Sequence, residues 1–169
     1  MAVQVRADFY FFTTFSGSVS TASGELDVVG NIAVSGYLDV TSGANQGTYS
    51  LVSLTSPLIT GGTPSVPSIR ISDGTDLIFD NIVNAASDPF FDSNGLAFAN
   101  NNTIGFNLWG NSPGYYSLFD VSGTPPGHEY IQDNGTATLA PVPEPASITL
   151  ISVFAGLSIL LRRSKVRTA

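Results

Sequence analysis

Residues 68–79 read Ser-Ile-Arg-Ile-Ser-Asp-Gly-Thr-Asp-Leu-Ile-Phe, two apolar runs parted by the pair Asp73-Gly74. A two-residue hairpin turn asks for positive φ at its centre, which Asp-Gly tolerates better than almost any other pair. The stretch therefore predicts antiparallel strands over 68–72 and 75–80. The same grammar runs outward in both directions. Over 9–15 (FYFFTTF), Phe9, Phe11 and Phe15 fall on one face and Tyr10 and Phe12 on the other. Leu26, Val28, Ile32 and Val34 recur at period two, predicting one strand over 26–34. Val52 and Leu54 alternate with Tyr49 and Leu51 over 48–54. Shorter candidates lie at 96–99, 103–109, 115–120 and 136–139. Turn pairs separate them: Ser16-Gly17, Ser42-Gly43, Gly61-Gly62, Asn94-Gly95, Ser122-Gly123 and Asn134-Gly135. Residues 56–67 and 85–94 read as loops, the second leaving the pair Phe90-Phe91 exposed. No stretch before residue 145 sustains a helical period. Strands spaced by roughly 8–12 residues predict an all-β fold, an antiparallel β-sandwich or barrel-like domain. A β-solenoid fits less well, because no fixed internal period exists.

The chain has 169 residues, enough for one domain and a short appendage. Charged residues make up only 11%, against about 25% in an ordinary soluble chain. Their position is more telling than their number. Residues 1–140 hold twelve acids against two bases, Arg6 and Arg70. A body this acidic repels phosphate backbones and excludes nucleic acid as a partner. Cysteine is absent, which excludes disulfides, thiolate metal sites and thiol nucleophiles. A single histidine, His128, excludes a multi-histidine metal site.

The C-terminal end changes character. Residues 141–145 are Pro-Val-Pro-Glu-Pro, unable to form helix interior or central strand. Residues 146–161 carry no charge, and nine of the sixteen are Ile, Leu, Val or Phe. As a helix they span about 24 Å, short of a bilayer core of about 30 Å. Snorkelling by Arg162 and Arg163 makes up part of the difference. The expected organisation is an all-β domain over 1–140, a Pro-rich linker over 141–145, a single transmembrane helix over 146–161 and a basic tail over 162–169. By the positive-inside rule, Arg162, Arg163 and Lys165 stop transfer and keep the tail in the cytoplasm, with the body outside.

Val142-Pro143-Glu144-Pro145, the hydrophobic span that follows and Arg162-Arg163-Ser164-Lys165, in that order at the chain end, resemble a PEP-CTERM sorting signal. The resemblance covers about residues 141–165. It implies an exported protein of a Gram-negative, exopolysaccharide-producing bacterium, with an exosortase as partner that recognises and cleaves near Pro-Glu-Pro. It further implies a membrane-anchored precursor that reaches the cell surface or extracellular matrix. Physically, the prolines flanking Glu144 keep the peptide extended for an enzyme to grip. Family members begin with a secretory leader, whereas Met1–Phe12 contains Arg6 and Asp8 and lacks an apolar core. The true start is therefore expected upstream of Met1.

Within the body, chemistry candidates compete with simpler roles. Gly110-Asn111-Ser112-Pro113-Gly114 matches G-x-S-x-G, but Pro113 has no N–H for an oxyanion hole, and a turn is expected instead. His128-Glu129 sits in a Pro-rich loop and reads as surface. Asp27, Asp39 and Asp120 read as solvated strand residues rather than a glycosidase pair. Asp73 and Asp76 with Asp80, and Asp88 with Asp92, Asn94 and the Asn100–Asn102 run, supply oxygen ligands that suit Ca²⁺, though without EF-hand spacing. Trp109, Tyr115 and Tyr116, beside Asn107 and Asn111, suit a sugar-stacking surface. The sequence thus predicts a non-catalytic surface protein without a cofactor. A lectin-like, calcium-assisted module that could contact exopolysaccharide is the alternative, and a secreted hydrolase ranks last.

Overall fold

A computed structural model describes residues 8–43, 45–70, 76–100, 104–122 and 130–141. The described residues form twelve strands and contain no helix. Eight of them close into an antiparallel barrel: β1 (Asp8–Gly17), β2 (Thr21–Val29), β3 (Ile32–Ser42), β4 (Gly47–Leu51), β8 (Leu96–Ala99), β9 (Ile104–Ser112), β10 (Tyr115–Ser122) and β11 (Tyr130–Thr136). Each pairs with the next in that order, and β11 returns to β1 through Ser16↔Thr136 and Gly17↔Gly135. A short β12 (Leu139–Pro141) continues the same seam, pairing with residues 10–12 of β1. Of the two architectures the sequence allowed, the barrel is the one formed.

Strand alternation fills the interior. On β2 every second residue is buried, with Ala22, Leu26 and Val28 facing in. Leu38 and Val40, Tyr49 and Leu51, Leu96 and Phe98, Phe106 and Leu108, and Tyr116 and Leu118 continue that core around the ring. Tyr49 and Phe106 meet edge to face at 4.6 Å, a favoured aromatic geometry. A barrel of about eight strands is narrow enough for side chains to fill, so no lumen is needed.

The meander is interrupted once, between β4 and β8, and the insertion has two parts. Its first part folds as a small antiparallel sheet of β5 (Ile59–Gly62), β6 (Pro67–Arg70) and β7 (Asp76–Ile78). This sheet lies against the outside of the barrel wall. Ile69, Leu77 and Phe79 pack there with Val52, Ala97 and Ala99 into a second hydrophobic cluster. The second part plugs the barrel: Val83 and Phe91 are buried in the main core, and Phe90 stacks on Tyr116 with centroids 5.9 Å apart.

Asn81 ties the two parts down. It is fully buried with φ 57°, a conformation that asparagine accepts more readily than most residues. Its N–H donates to Gly95 O at 3.1 Å, its O accepts from Ala33 N at 2.9 Å and its Nδ2 donates to Val52 O at 2.8 Å. One residue thereby joins the insertion to the β2–β3 hairpin, the end of β4 and the start of β8.

Several expectations need correction. The stretch 56–67 is not all loop, since Ile59–Gly62 forms β5 and takes up the Gly61-Gly62 pair. Asn134-Gly135 is no turn but lies within β11, paired with β10. The strand expected over 26–34 is two strands, because Gly30 takes φ 68° and Gly30-Asn31 forms a two-residue hairpin with Val29 opposite Ile32. The Phe90-Phe91 pair is not exposed: Phe91 is fully buried and Phe90 packs against the core. The strand expected over 136–139 is the junction of β11 and β12, since Ala137 and Thr138 belong to neither. Asp120 is buried rather than solvated, its carboxylate bonded at 2.8 Å through both oxygens to Asn45 Nδ2. The hairpin read from residues 68–79 forms with shorter strands, β6 and β7, and places Arg70 opposite Asp76, whereas a two-residue turn at Asp73-Gly74 would place it opposite Leu77. Its Asp73-Gly74 turn lies outside the described residues, as do the sorting motif Val142–Pro145, the expected helix over 146–161 and the tail with Arg162, Arg163 and Lys165. Among the described residues no helix is long and apolar enough to cross a membrane.

Candidate functional site

The outer face of β9, β10 and β11 carries a polar and aromatic grid set by strand register. One row runs Trp109–Ser117–Asn134 and the next Asn107–Phe119–Gln132. Period two puts all six on the side away from the core, because Phe106, Leu108, Tyr116 and Leu118 point inward. Beside the second row stands the edge of the small sheet. Between them opens a cleft of about 300 Å³ lined by Asn107, Trp109, Phe119 and Gln132 below, and by residues 76–78, Ser93 and Asn94 at the side. That volume sits at the lower end of small-ligand pockets.

Trp109 is held in place by a relay. Its Nε1–H donates to Asn111 Oδ1 at 3.1 Å, Asn111 Nδ2 donates to Ser117 Oγ at 2.7 Å, and Ser117 Oγ donates to Asn134 Oδ1 at 2.6 Å. Gln132 Nε2 reaches the same Ser117 Oγ at 3.4 Å. The indole lies 6.4 Å from the Phe119 ring at 58°, so the two rings offer angled apolar surfaces. Asn107 is 8% exposed. Its Nδ2 donates to Ile78 O and Asn94 O, while its Oδ1 has no hydrogen-bond partner. A buried amide oxygen left unpaired costs about 1–3 kcal/mol.

Charge in the cleft is nearly cancelled. Asp76 binds Arg70 through two hydrogen bonds, Nε to Oδ1 at 3.0 Å and Nη2 to Oδ2 at 2.7 Å. The hydrogen bond to Arg70 holds the Asp76 carboxyl below its ordinary value despite some desolvation. Asn94 turns its Nδ2 away to Asp80 Oδ2 at 2.9 Å.

The sequence-derived candidates scatter. Trp109 stands in the cleft. Tyr115, 46% exposed, starts β10 beyond the hairpin turn and does not line it. Tyr116 is not a surface aromatic at all. Strand alternation turns it inward, where it is fully buried and its hydroxyl donates to Asp88 Oδ1 at 2.7 Å and accepts from Phe90 N at 2.9 Å. Burial, with Asp88 beside it, pushes its phenol well above the ordinary value. The three-ring platform expected from sequence is therefore replaced by Trp109 with Phe119.

The proposed calcium ligands are separated and engaged. Asp76 pairs with Arg70 as above, and Asp88 also accepts from Gly114 N at 2.7 Å. Asp92 Oδ1 closes a turn on Asn94 N and Gly95 N at 2.9 and 3.0 Å. Asp73 lies outside the described residues, as do His128 and Glu129. Among the described residues no three acidic or histidine side chains gather as a metal site. The Gly110–Gly114 segment ends β9 at Ser112 and turns at Pro113-Gly114, with Gly114 at φ 70°.

Two further buried carboxylates stand outside the cleft: Asp133, which the sequence does not single out, and Asp80, which it groups with the calcium ligands. Asp133 sits over the β1–β2 turn, where Ser18 N, Val19 N and Ser20 N donate to it at 2.9, 2.9 and 2.6 Å, and Ser18 Oγ at 2.9 Å. Burial opposes its charge, yet these donors prevail and hold its carboxyl below the ordinary value. Asp80 is the reverse. Burial raises its carboxyl first, and the neighbouring Asp92 raises it further, against donation from Asn94 and Ile82 N. Comparison with family models, curated proteins and solved structures finds no match for this chain.

Proposed function

We propose that this chain is an exported, non-catalytic cell-surface or extracellular-matrix protein whose β-barrel is sorted by its C-terminal segment. The observation that carries the reading is the ordered triplet of Val142-Pro143-Glu144-Pro145, an uncharged apolar span and Arg162-Arg163-Ser164-Lys165. In this reading an exosortase grips the extended Pro-Glu-Pro, the apolar span holds it at membrane depth, and the bases fix orientation. The end of the fold supports it. Leu139–Pro141, the last described residues, pair with β1 directly before the motif. Cleavage near Pro145 would leave every described strand in place.

The neighbouring carboxylates Asp80 and Asp92 also support a non-catalytic role. Asp80 is buried and its two oxygens accept from Ile82 N and Asn94 Nδ2. A hydrolytic pair needs its carboxylates free to flank a substrate. The reading is tested by the intact mass of the native protein from the cell-surface fraction of its host, with C-terminal peptides mapped. An end near Pro145 is expected. A chain running uncut to Ala169 would remove the sorting role and leave a membrane-anchored barrel.

A further inference from the structure

We infer that the Trp109 cleft is a binding site for a neutral saccharide unit. The inference stands on the cleft alone and is independent of how the chain is sorted. Its floor combines two surfaces that one ligand must satisfy together. Trp109 and Phe119 offer apolar ring faces, while Gln132 and Ser93 offer amide and hydroxyl groups beside them. A wholly apolar ligand would bury those polar groups without partners, at a cost for each. An anion finds no partner: Arg70 is the one base among the described residues, and it is committed to Asp76. A metal finds no cluster of acids among the described residues. A pyranose meets both demands, because its C–H faces lie against aromatic rings and its rim hydroxyls both donate and accept.

Pre-organisation strengthens the case. The Trp109–Asn111–Ser117–Asn134 relay fixes the indole before any ligand arrives, which lowers the entropy lost on binding.

Trp109 is the chain's single tryptophan, so intrinsic fluorescence reports on this cleft without a label. The full chain, held in a sugar-free detergent, is titrated with maltohexaose, cellohexaose, mannohexaose and chitotetraose, and with alginate as a charged control. A saturable change in emission with at least one neutral oligosaccharide, unmatched by alginate, is expected. Calorimetry on variants then locates the contact. Trp109→Ala should weaken binding about tenfold or more, and exposed Gln132→Ala about threefold, with unfolding midpoints close to the parent. No response to any neutral oligosaccharide at millimolar concentration, a response to alginate alone, or binding that both variants leave unchanged would each overturn the inference.

Discussion

The two faces of β8, β9 and β10 come from one alternating sequence and meet different fates. Inward, Leu96, Phe98, Phe106, Leu108, Tyr116 and Leu118 are sealed by closure of the ring itself. Outward, Ala97, Ala99 and Asn107 are covered by the small sheet, but the cover thins beyond them, leaving Trp109 and Phe119 half-buried along its margin beside exposed Gln132 of β11. A closed barrel therefore hides its inner face through topology, whatever the insertion does. The outer face is hidden only as far as an added layer reaches. Where that layer ends, the side chains turn from alanine to amide and aromatic, and a cleft results.

The largest test of this contrast is a pair of truncations. Phe106→Ala empties the middle of the sealed core and should cost about 3–5 kcal/mol, read as a cooperative shift in the denaturation midpoint. Phe79→Ala removes an equally buried ring, but from the outer cluster. Its loss should be capped by the free energy of lifting the small sheet, about 1–3 kcal/mol. Limited proteolysis separates the two. With Phe79→Ala, cuts should appear first within residues 52–79 while barrel amides stay protected from exchange. Equal, global loss of protection in both variants would show that the two layers are one cooperative unit.

Much of the inner face is legible from sequence because it needs only period two. Tyr49 with Leu51 and Phe106 with Leu108 can be read off directly. The error over 26–34 shows the limit. Leu26, Val28, Ile32 and Val34 keep the same parity across Gly30-Asn31, so the periodicity alone runs straight through a hairpin. Only the Gly-Asn pair, a known two-residue turn signal, marks the break. The outer site is legible in part. Trp109 and Asn107 share a strand and a parity, whereas Phe119, Gln132 and Asn94 join them through register across β10, β11 and the insertion. Nothing local encodes those pairings. Asp133 was silent for the same reason, since its partners lie more than a hundred residues away at Ser18–Ser20.

Asp133 and Asp80, both buried, extend the comparison to pH, with opposite signs. Asp133 closes the barrel seam as an anion, and its folded value is depressed. Its stabilisation is present above the ordinary aspartate value and is lost as pH falls through the folded one. Asp80, between the insertion and the barrel, has a raised folded value. Its contribution is present below the ordinary value and is lost as pH rises through the folded one. Asp133→Asn should cost about 2–3 kcal/mol at neutral pH, because an amide NH₂ then faces backbone donors, and should flatten the acid limb of the stability curve. Asp80→Asn should flatten the decline on the way to neutral pH and leave the acid limb in place. Denaturation midpoints across that range read both. Parallel curves for the parent and Asp80→Asn would mean that the Asp80–Asp92 contact does not govern the rise.

The smallest effect on folding should come from the residue with the largest expected effect on binding. Trp109 is half-buried on the outer wall, beyond the reach of either hydrophobic cluster. Trp109→Ala should therefore shift stability by less than about 1 kcal/mol, although a tryptophan inside the ring would cost several times that. The relay behind it explains why the cost is small but not zero: Asn111 loses the indole donor and turns to solvent, while Ser117 keeps its bond to Asn134. A loss on the scale of Phe106→Ala would mean that the indole buttresses the wall, and the outer grid would then be a third packing layer rather than a surface kept open.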